Sequence, residues 1–401
     1  MKITFRLAAL LAAITLTLTI AGCSNGSVKD SDSTKLAGIV SYATTIMEKD
    51  LEDAAFINPL IKTGDGDVVY SSSDPNVATV DAKTGEVSIK TAGQTTISAT
   101  VSDSAIYTYA ASRSASYALR VIDSMTVPLT LEFPTDGTIT FEYKPDGLQY
   151  SKDGGKTKIA AGDSIAVSAN EAVSFFANGM GSDQSMLNFT IKPDKDCYIY
   201  GNIMSLETSD DFQYCVIIKN EYEFSRLFDG APIKNHPTKK LLLPAVSLKS
   251  HCYAAMFQST KLTEAPELPA VDLKTSCYNS MFQKCADLER APKLPATDLS
   301  VNCYWQMFTE CVNLETAPDL LAKELTTGCY TKMFCGCSKL KYIKCLATKI
   351  PALQSQACLT NWVDGVAASG TFIRSKNVDE DWMDDSSSGI PPNWTVERVT
   401  E

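Results

Sequence analysis

The motif Cys-Tyr-x-x-Met-Phe occurs four times in the C-terminal half of this chain, at residues 252–257, 277–282, 303–308 and 329–334. Successive copies therefore start 25, 26 and 26 residues apart. The copies continue into a Leu-x-x-Ala-Pro-x-Leu segment, which is clearest after the first and second motifs. A near-constant interval of this length predicts a stack of equivalent turns, in which each turn buries its apolar side chains against its neighbours.

The second copy indicates what one turn looks like. Tyr278, Met281, Phe282 and Cys285 are spaced i, i+3, i+4 and i+7, which predicts one apolar face of a helix of about two turns. Two prolines in the segment 291–296 exclude further helix and favour a short strand with inward apolar side chains. Each repeat is therefore predicted to consist of a helix, a bend, a short strand and a second bend.

The unit Cys-Tyr-x-x-Met-Phe-x-x-Cys-x-x-Leu-x-x-Ala-Pro-x-Leu-Pro-Ala resembles the BspA-like leucine-rich repeat of bacterial surface proteins. The resemblance covers residues 222–360. It implies an α/β leucine-rich-repeat solenoid, which we expect at 221–360, and a role in adhesion or host-matrix binding. A degenerate opening turn with Phe224, Leu227 and Phe228 precedes the four copies and lacks the cysteine, and the last copy has Ile343-Lys344 in place of Ala-Pro. Such departures are expected of end turns that cap an open core. Residues 361–401 resemble the closing segment of such proteins and are predicted to be a C-terminal cap.

The N-terminus has the features of an export signal, which we place at residues 1–22. Two basic residues precede an apolar run at 7–20 that is short for a membrane span. The run ends in Ile-Ala-Gly-Cys23, which resembles a bacterial lipobox and implies that Cys23 is acylated. The alternative is an ordinary cleaved signal with a chance cysteine. The polar stretch 23–35 predicts a tether. By resemblance to lipoprotein sorting rules, Ser24 implies the outer membrane, so we expect a lipid-anchored protein at the outer membrane or cell surface.

Two β-rich stretches lie between the tether and the repeats. Short alternating or β-branched runs separated by turn signals predict an all-β immunoglobulin-like sandwich at 36–122. The runs 70–81, 84–87 and 92–100 are similar to the group 2 bacterial immunoglobulin-like domain. A second region with the same alternation, at 128–220, is predicted to be a β-rich lead-in domain that caps the first turn of the stack. The fold class that follows is multidomain: a sandwich, a β-rich lead-in and an α/β solenoid.

Charge and cysteine content exclude some partners. The net charge is −11, so no basic patch invites nucleic acid. Seven of the thirteen cysteines fall into two repeat columns, where a buried thiol that fills a small slot is the simplest interpretation. Disulfides are the alternative, because an exported protein meets oxidising conditions. A zinc site is not expected, since Cys335-Gly336-Cys337 is tighter than the usual ligand spacing.

No pattern of catalytic residues stands out. The two histidines, His236 and His251, belong to no triad or metal-ligand spacing, and no phosphate-binding glycine loop occurs. We therefore expect no enzyme, no cofactor and no metal. The acidic residues at 379–385 lack the spacing of a calcium loop and are predicted to be a solvated segment.

Positions that vary between copies are candidates for ligand binding. Outward strand positions and one outward helix position provide five of them: Glu264, Arg290, Thr316, Tyr342 and Trp305. Arginine, tyrosine and tryptophan are enriched at binding hot spots. The neighbouring outward column contains Glu267, Lys293 and Asp319, whose alternating charges are expected to pair across turns, whereas the first column offers no such pairing.

The function predicted from these features is adhesion. We expect a lipid-anchored cell-surface protein that presents its repeat surface to an extracellular protein or glycoprotein, or to a polysaccharide. The alternative is a glycan-capture or structural component of the cell envelope that has no protein ligand.

Overall fold

The computed structural model describes residues 35–110, 113–179, 189–348, 357–378 and 388–399. Its regular structure is almost entirely β. Three regions follow one another along the chain: an N-terminal sandwich, a β-rich middle region and a stack of repeated turns. Three short 3₁₀ turns occur at Ser124–Thr126, Ile203–Leu206 and Phe212–Tyr214, and the described ranges contain no α-helix.

The N-terminal region is the predicted all-β immunoglobulin-like domain. Its strands are β1 Leu36–Ala37, β2 Ile39–Tyr42, β3 Ile46–Asp50, β4 Phe56–Ile57, β5 Leu60–Thr63, β6 Val68–Ser72, β7 Ala78–Val80, β8 Glu86–Ile89, β9 Gly93–Val101, β10 Tyr107–Thr108 and β11 Ser114–Ile122. A four-stranded sheet has the order β3-β11-β9-β6, and a three-stranded sheet has the order β4-β8-β7. Val87 from one sheet and Ile97 and Leu119 from the other share one buried cluster, as period-two alternation requires.

The middle region is also built from strands: β12 Thr130–Phe133, β13 Gly137–Glu142, β14 Gln149–Ser151, β15 Ile159–Ala160, β16 Ser164–Val167, β17 Glu171–Phe176, β18 Thr190–Pro193 and β19 Cys197–Asn202. One sheet has the order β15-β14-β17-β12-β19, and a second has the order β16-β13-β18. The first sheet continues into the repeats, because β19 pairs in parallel with β20 Ile233–Asn235 and β21 Leu241–Leu242. One hydrophobic cluster accordingly runs from Leu129 to Trp394, whereas the sandwich has clusters of its own.

Six stacked turn segments form the repeat region: 222–231, 251–260, 276–285, 302–311, 328–337 and 357–366. We call this arrangement the turn ladder. Backbone N–H groups alternate between two kinds of acceptor along each segment. The Tyr253 and Ala255 N–H groups donate to carbonyls of the next segment, at 3.0 and 2.8 Å, whereas the intervening Ala254 N–H donates to the His251 carbonyl three residues earlier. Each segment is therefore a series of tight turns that is hydrogen-bonded to the next.

The predicted α/β leucine-rich-repeat solenoid at 221–360 is wrong, because the motif segments form turns instead of helices. In an α-helix each N–H would bond to the carbonyl four residues earlier within the segment. The turn ladder instead repeats every four residues. Over eight residues, periods of 3.6 and 4 place Tyr278, Met281, Phe282 and Cys285 on the same side, and all four are buried. The sequence spacing could not distinguish the two.

A left-handed residue at every fourth position produces this geometry. In the third segment these residues are Ser276, Ser280 and Lys284, with φ of 54°, 55° and 62°. Glycine takes equivalent places elsewhere in the ladder, at Gly230, Gly328, Gly336 and Gly365. A left-handed conformation costs a non-glycine residue roughly 1–2 kcal/mol, so bonding between segments must offset that cost many times over.

Aromatic side chains stack in two columns inside the ladder. The ring centroids of Phe257 and Phe282 are 5.7 Å apart, and those of Phe282 and Phe308 are 5.8 Å apart, with nearly parallel planes. The tyrosines of the motif form the second column, in which Tyr253 and Tyr278 are 5.8 Å apart. These contacts are the reason that Tyr and Phe recur in each copy.

The cysteine columns have a packing role. All twelve cysteines in the described part of the chain are free. In the second column, the thiols of Cys285, Cys311 and Cys337 lie 2.9–3.1 Å from the phenylalanine carbonyl of the preceding segment and donate to it. The Thr260 hydroxyl donates to its own segment's Phe257 carbonyl at 2.9 Å, which explains why threonine can replace cysteine there.

The sixth turn segment, 357–366, lacks the Cys-Tyr-x-x-Met-Phe motif and closes the ladder. Trp362 is fully buried at the methionine position and stacks on Tyr330 at 6.3 Å. The strands β22 Tyr342–Cys345, β23 Thr371–Ser375 and β24 Thr395–Val399 form a parallel sheet beside it. The indole N–H groups of Trp362 and Trp394 donate to the carbonyls of Gly389 and Ala367. Tryptophan thus covers the last rings of both columns.

The left-handed positions provide a direct test of the ladder. Gln306 has a φ of 57°, so we expect Gln306→Gly to raise the free energy of unfolding by about 0.5–1 kcal/mol, because it removes the left-handed penalty. The same change at Gln283, where φ is negative, should lower it by a similar amount. Urea denaturation measures both, and destabilisation by both variants would contradict the ladder and support a helix.

The continuous core predicts which parts unfold together. Phe282→Ala opens a cavity within a ring column and should cost about 3–5 kcal/mol. Hydrogen exchange should then accelerate in the repeats and in the middle region, which share one core, but not in the sandwich. Gln283→Ala, on the outward side of the same segment, is the matched control. Equal loss of protection in the sandwich would show that the two cores are coupled.

Candidate binding surface

The strand portions of the repeats align four of the candidate residues. The backbones of Glu264 and Arg290 form a parallel β-bridge, and so do the backbones of Thr316 and Tyr342. We call these four residues the strand column. The column continues through the closing sheet, where Tyr342 is paired with Thr371. The sequence spacing is therefore consistent with these two pairings.

A salt bridge occupies the first half of the strand column. A guanidinium nitrogen of Arg290 lies 2.6 Å from a carboxylate oxygen of Glu264, and both side chains are more than half exposed. The argument that this column lacks charge pairing is therefore wrong. Exposed pairs of this kind contribute little to stability, typically about 0–1 kcal/mol, so Arg290 remains a group that a ligand can engage.

Further charge pairs cross the neighbouring positions. Lys341 pairs with Glu315 at 2.5 Å, and Lys344 pairs with Asp319 at 2.6 Å. The hydrogen bond from Lys341 lowers the pKa of Glu315, and the hydrogen bond to Asp319 raises the pKa of Lys344. Cross-turn pairing at Asp319 was expected, but its partner is Lys344 of the closing sheet instead of Lys293. Lys344 stands at the position of the proline in the Ala-Pro pair of the other copies, and this substitution supplies the partner of Asp319.

Trp305 lies apart from the strand column. It belongs to the turn segment 302–311, where its backbone carbonyl accepts the Ser280 N–H at 2.7 Å. Its side chain is 36% exposed. The structure therefore pairs Glu264 with Arg290 and Thr316 with Tyr342 but leaves Trp305 on a different side of the repeat. Cys23, the predicted lipidation site, lies outside the described residues.

A groove of about 500 Å³ opens beside Glu264, at the N-terminal end of the strand column. Its walls are the loop after β20, the first full strand portion of the repeats and the linker from the sandwich. The lining residues include His236, Lys239, Lys240, Leu242, Glu264 and Glu267. The groove forms where the chain leaves the stack after Asn235. There the side-chain amide of Asn235 takes the place of a neighbouring strand's backbone: it donates to the Glu264 carbonyl and accepts the Glu264 N–H. The only local signal of this loop in the sequence is the turn-favouring pair His236-Pro237.

His236 fixes the loop that forms one wall of this groove. Its Nδ1 accepts the backbone N–H groups of Thr238 and Lys239 at 3.1 and 3.0 Å. The imidazole lies edge-on to Tyr198 and Tyr200, with ring centroids 5.5 and 5.1 Å away. Burial and the Lys239 ammonium lower the pKa of His236, against the opposing effects of Glu132 and Glu48.

The same loop connects the repeats to the sandwich. The Thr238 hydroxyl donates to Glu48 at 3.2 Å, and the Lys240 ammonium lies 2.5 Å from Asp53. Lys239 points back to Glu132 of the middle region at 2.9 Å. The orientation of the loop 236–240 therefore determines its contacts with both the sandwich and the middle region.

The part of the chain that the structure describes contains neither a candidate metal site nor a candidate membrane-spanning helix. No group of three or more His, Cys, Asp or Glu residues there could hold a metal ion. None of the helical turns in those ranges is long and apolar enough to cross a membrane.

Comparison with known proteins identifies the sandwich. Residues 60–103 match the family model of the intimin immunoglobulin-like domain. No curated protein matches the chain, and no BspA-like or leucine-rich-repeat family is matched. The matched residues run from β5 to the end of β9, within the predicted sandwich. The chain thus carries a bacterial immunoglobulin-like domain of the intimin kind, a feature that points to a bacterial surface protein.

The histidine predicts a pH dependence with a definite sign. Because the folded-state pKa of His236 is below its unfolded value of about 6.5, its contribution to stability is complete above that pH and is lost as the pH falls below it. Hydrogen exchange at residues 236 and 238–240, corrected for its intrinsic dependence on pH, should therefore accelerate between pH 7 and pH 5. His236→Asn, whose side-chain oxygen can accept the same two N–H groups without titrating, should show a smaller change. An equal acceleration in both proteins would contradict this role.

Proposed function

We propose that the chain is a lipid-anchored cell-surface adhesion protein that presents its strand column and the adjoining groove to an extracellular protein. The observation that carries the proposal is the strand column itself, in which exposed Arg290 and half-buried Tyr342 lie on a hydrogen-bonded frame beside a concave surface. The intimin-like sandwich supports a location at the bacterial surface.

The physical case rests on preorganisation. Parallel bridges fix the backbone at Arg290 and Tyr342, so binding does not have to order it. Arginine and tyrosine are frequent hot-spot residues because each combines apolar area with directional hydrogen bonding. Glu264 lies both in the column and in the groove, so one ligand could contact both.

Anchoring is proposed from the sequence around Cys23. Acylation there, by resemblance to lipoproteins, would add about 0.8 kcal/mol for each buried methylene, and two or more acyl chains hold a protein durably on a membrane. The BspA-like resemblance of the repeat motif supports the adhesive role. The resemblance of residues 36–122 to the group 2 bacterial domain supports a spacer between the anchor and the binding surface.

Binding to immobilised fibronectin, laminin and collagen tests the proposal. Once one of these proteins is bound, Arg290→Ala and Tyr342→Ala should each weaken binding by at least about 1 kcal/mol, because each truncates a candidate hot spot. The melting temperature should remain unchanged, since both side chains lie on the outside of the stack.

Arg113→Ala is the matched control. Arg113 is an equally exposed arginine on the sandwich, and it pairs with Asp103 much as Arg290 pairs with Glu264. Full affinity in the Arg290→Ala, Tyr342→Ala double variant would exclude the strand column as the binding surface. Recovery of the unaltered protein in a soluble, non-acylated form would exclude the anchor at Cys23.

A further inference from the structure

A second concave site lies away from the strand column, at the seam between the middle region and the first turn segment. It has a volume of about 320 Å³. Six side chains line it: Glu142, Tyr143, Thr190, Lys192, Arg226 and Asp229. No residue of this site takes part in the proposed adhesion surface.

The walls of the site are fixed by backbone hydrogen bonds. Glu142 and Thr190 are directly paired across β13 and β18. The Ile191 N–H donates to the Leu227 carbonyl at 2.8 Å, which joins β18 to the first turn segment. The Arg226 N–H donates to the next segment at 2.9 Å. The side chains around the cavity therefore project from a rigid frame.

The charges around the site neutralise one another. Lys192 pairs with Glu142 at 2.7 Å, and Arg226 pairs with Asp229 at 2.5 Å. The Thr190 hydroxyl also lies 3.3 Å from Glu142. The rim thus offers two carboxylates as acceptors and two cations as donors, with no net charge. Such a rim suits a ligand whose groups both donate and accept hydrogen bonds, and it gives no net attraction to an anion or a cation.

Tyr143 adds an aromatic surface to this polar rim. Its side chain is 61% exposed, and its φ is 50°. A left-handed conformation at a bulky residue is uncommon and costs roughly 1–2 kcal/mol. Tyr143 therefore combines an unfavourable backbone conformation with an exposed aromatic ring at the edge of the cavity. An exposed tyrosine presents an apolar face together with a hydroxyl group that donates and accepts.

We propose that this site binds a neutral saccharide. Sugar hydroxyls both donate and accept hydrogen bonds, as the paired carboxylates and cations require, and the apolar C–H face of a pyranose ring matches an exposed aromatic face. A volume of about 320 Å³ lies at the small end of the range for small-molecule sites, and the convergent polar groups would fix the orientation of a ring that stacks on Tyr143. The protein would then hold a glycan at the seam in addition to the protein ligand of the strand column.

A glycan array that carries neutral, sialylated and sulfated glycans is the first experiment. The proposal expects neutral glycans to bind and charged groups to add no affinity. Saturation-transfer NMR with the best neutral glycan should then locate contacts to the aromatic protons of Tyr143. A requirement for sialic acid or sulfate, or the absence of any bound neutral glycan, would overturn the proposal.

Substitutions at position 143 separate stacking from folding. Tyr143→Asn removes the ring but tolerates the left-handed conformation, and it should weaken binding of the neutral glycan at least tenfold. Tyr143→Phe keeps the ring and should lose less than threefold. Tyr214→Ala removes another highly exposed tyrosine of the middle region and should have no effect. Unchanged binding by Tyr143→Asn would overturn the site.

The strand column provides the internal control. Arg290→Ala and Tyr342→Ala should leave glycan binding intact, because neither residue lines this cavity. Retained protein binding together with retained glycan binding would therefore contradict only the adhesion surface, whereas loss of protein binding with retained glycan binding would support both proposals. Loss of glycan binding in these two variants would assign the glycan to the strand column and overturn the site at Tyr143.

Discussion

The structure depends on one arrangement of backbone hydrogen bonds. Along each turn segment, alternate N–H groups donate within the segment and to the next segment. This alternation satisfies the backbone of a buried, non-helical chain, which would otherwise carry a large desolvation cost. It also requires a left-handed residue at every fourth position. The hydrogen bonds between neighbouring segments offset the conformational cost of these residues. A single segment without neighbours would lack those bonds.

Side-chain identity in the ladder follows from this bonding. Because neighbouring segments are joined in fixed register, each side chain lies against its own counterpart, which is why Phe282 stacks between Phe257 and Phe308. A repeated thiol can likewise reach the same carbonyl of the preceding segment. The two end segments each have a neighbouring segment on one side only, so other parts of the chain must cover their open faces. The sheet of the middle region covers the first end through β19 and β20, and tryptophans cover the last.

The outward positions are free of this constraint, and the candidate functions lie there. The strand column combines an exposed salt bridge with Tyr342 on a rigid backbone, beside a groove that forms where the first repeat leaves the stack. The site at Tyr143 arises at a different junction, where β18 is joined to the first turn segment. Both concavities therefore occur where the regular stack meets another region. A perfectly regular stack of identical turns would offer neither.

The sequence by itself indicated the immunoglobulin-like β domain and the stacking of the repeats. It also indicated that Glu264 pairs with Arg290 and Thr316 with Tyr342, because a constant interval places equivalent positions above one another. It could not decide between a helix and a turn ladder, since periods of 3.6 and 4 coincide over eight residues. Only the tertiary structure revealed the partner of Arg290 and the two concavities. These depend on where the chain departs from regularity, and local sequence does not encode the distance between segments that are far apart along the chain.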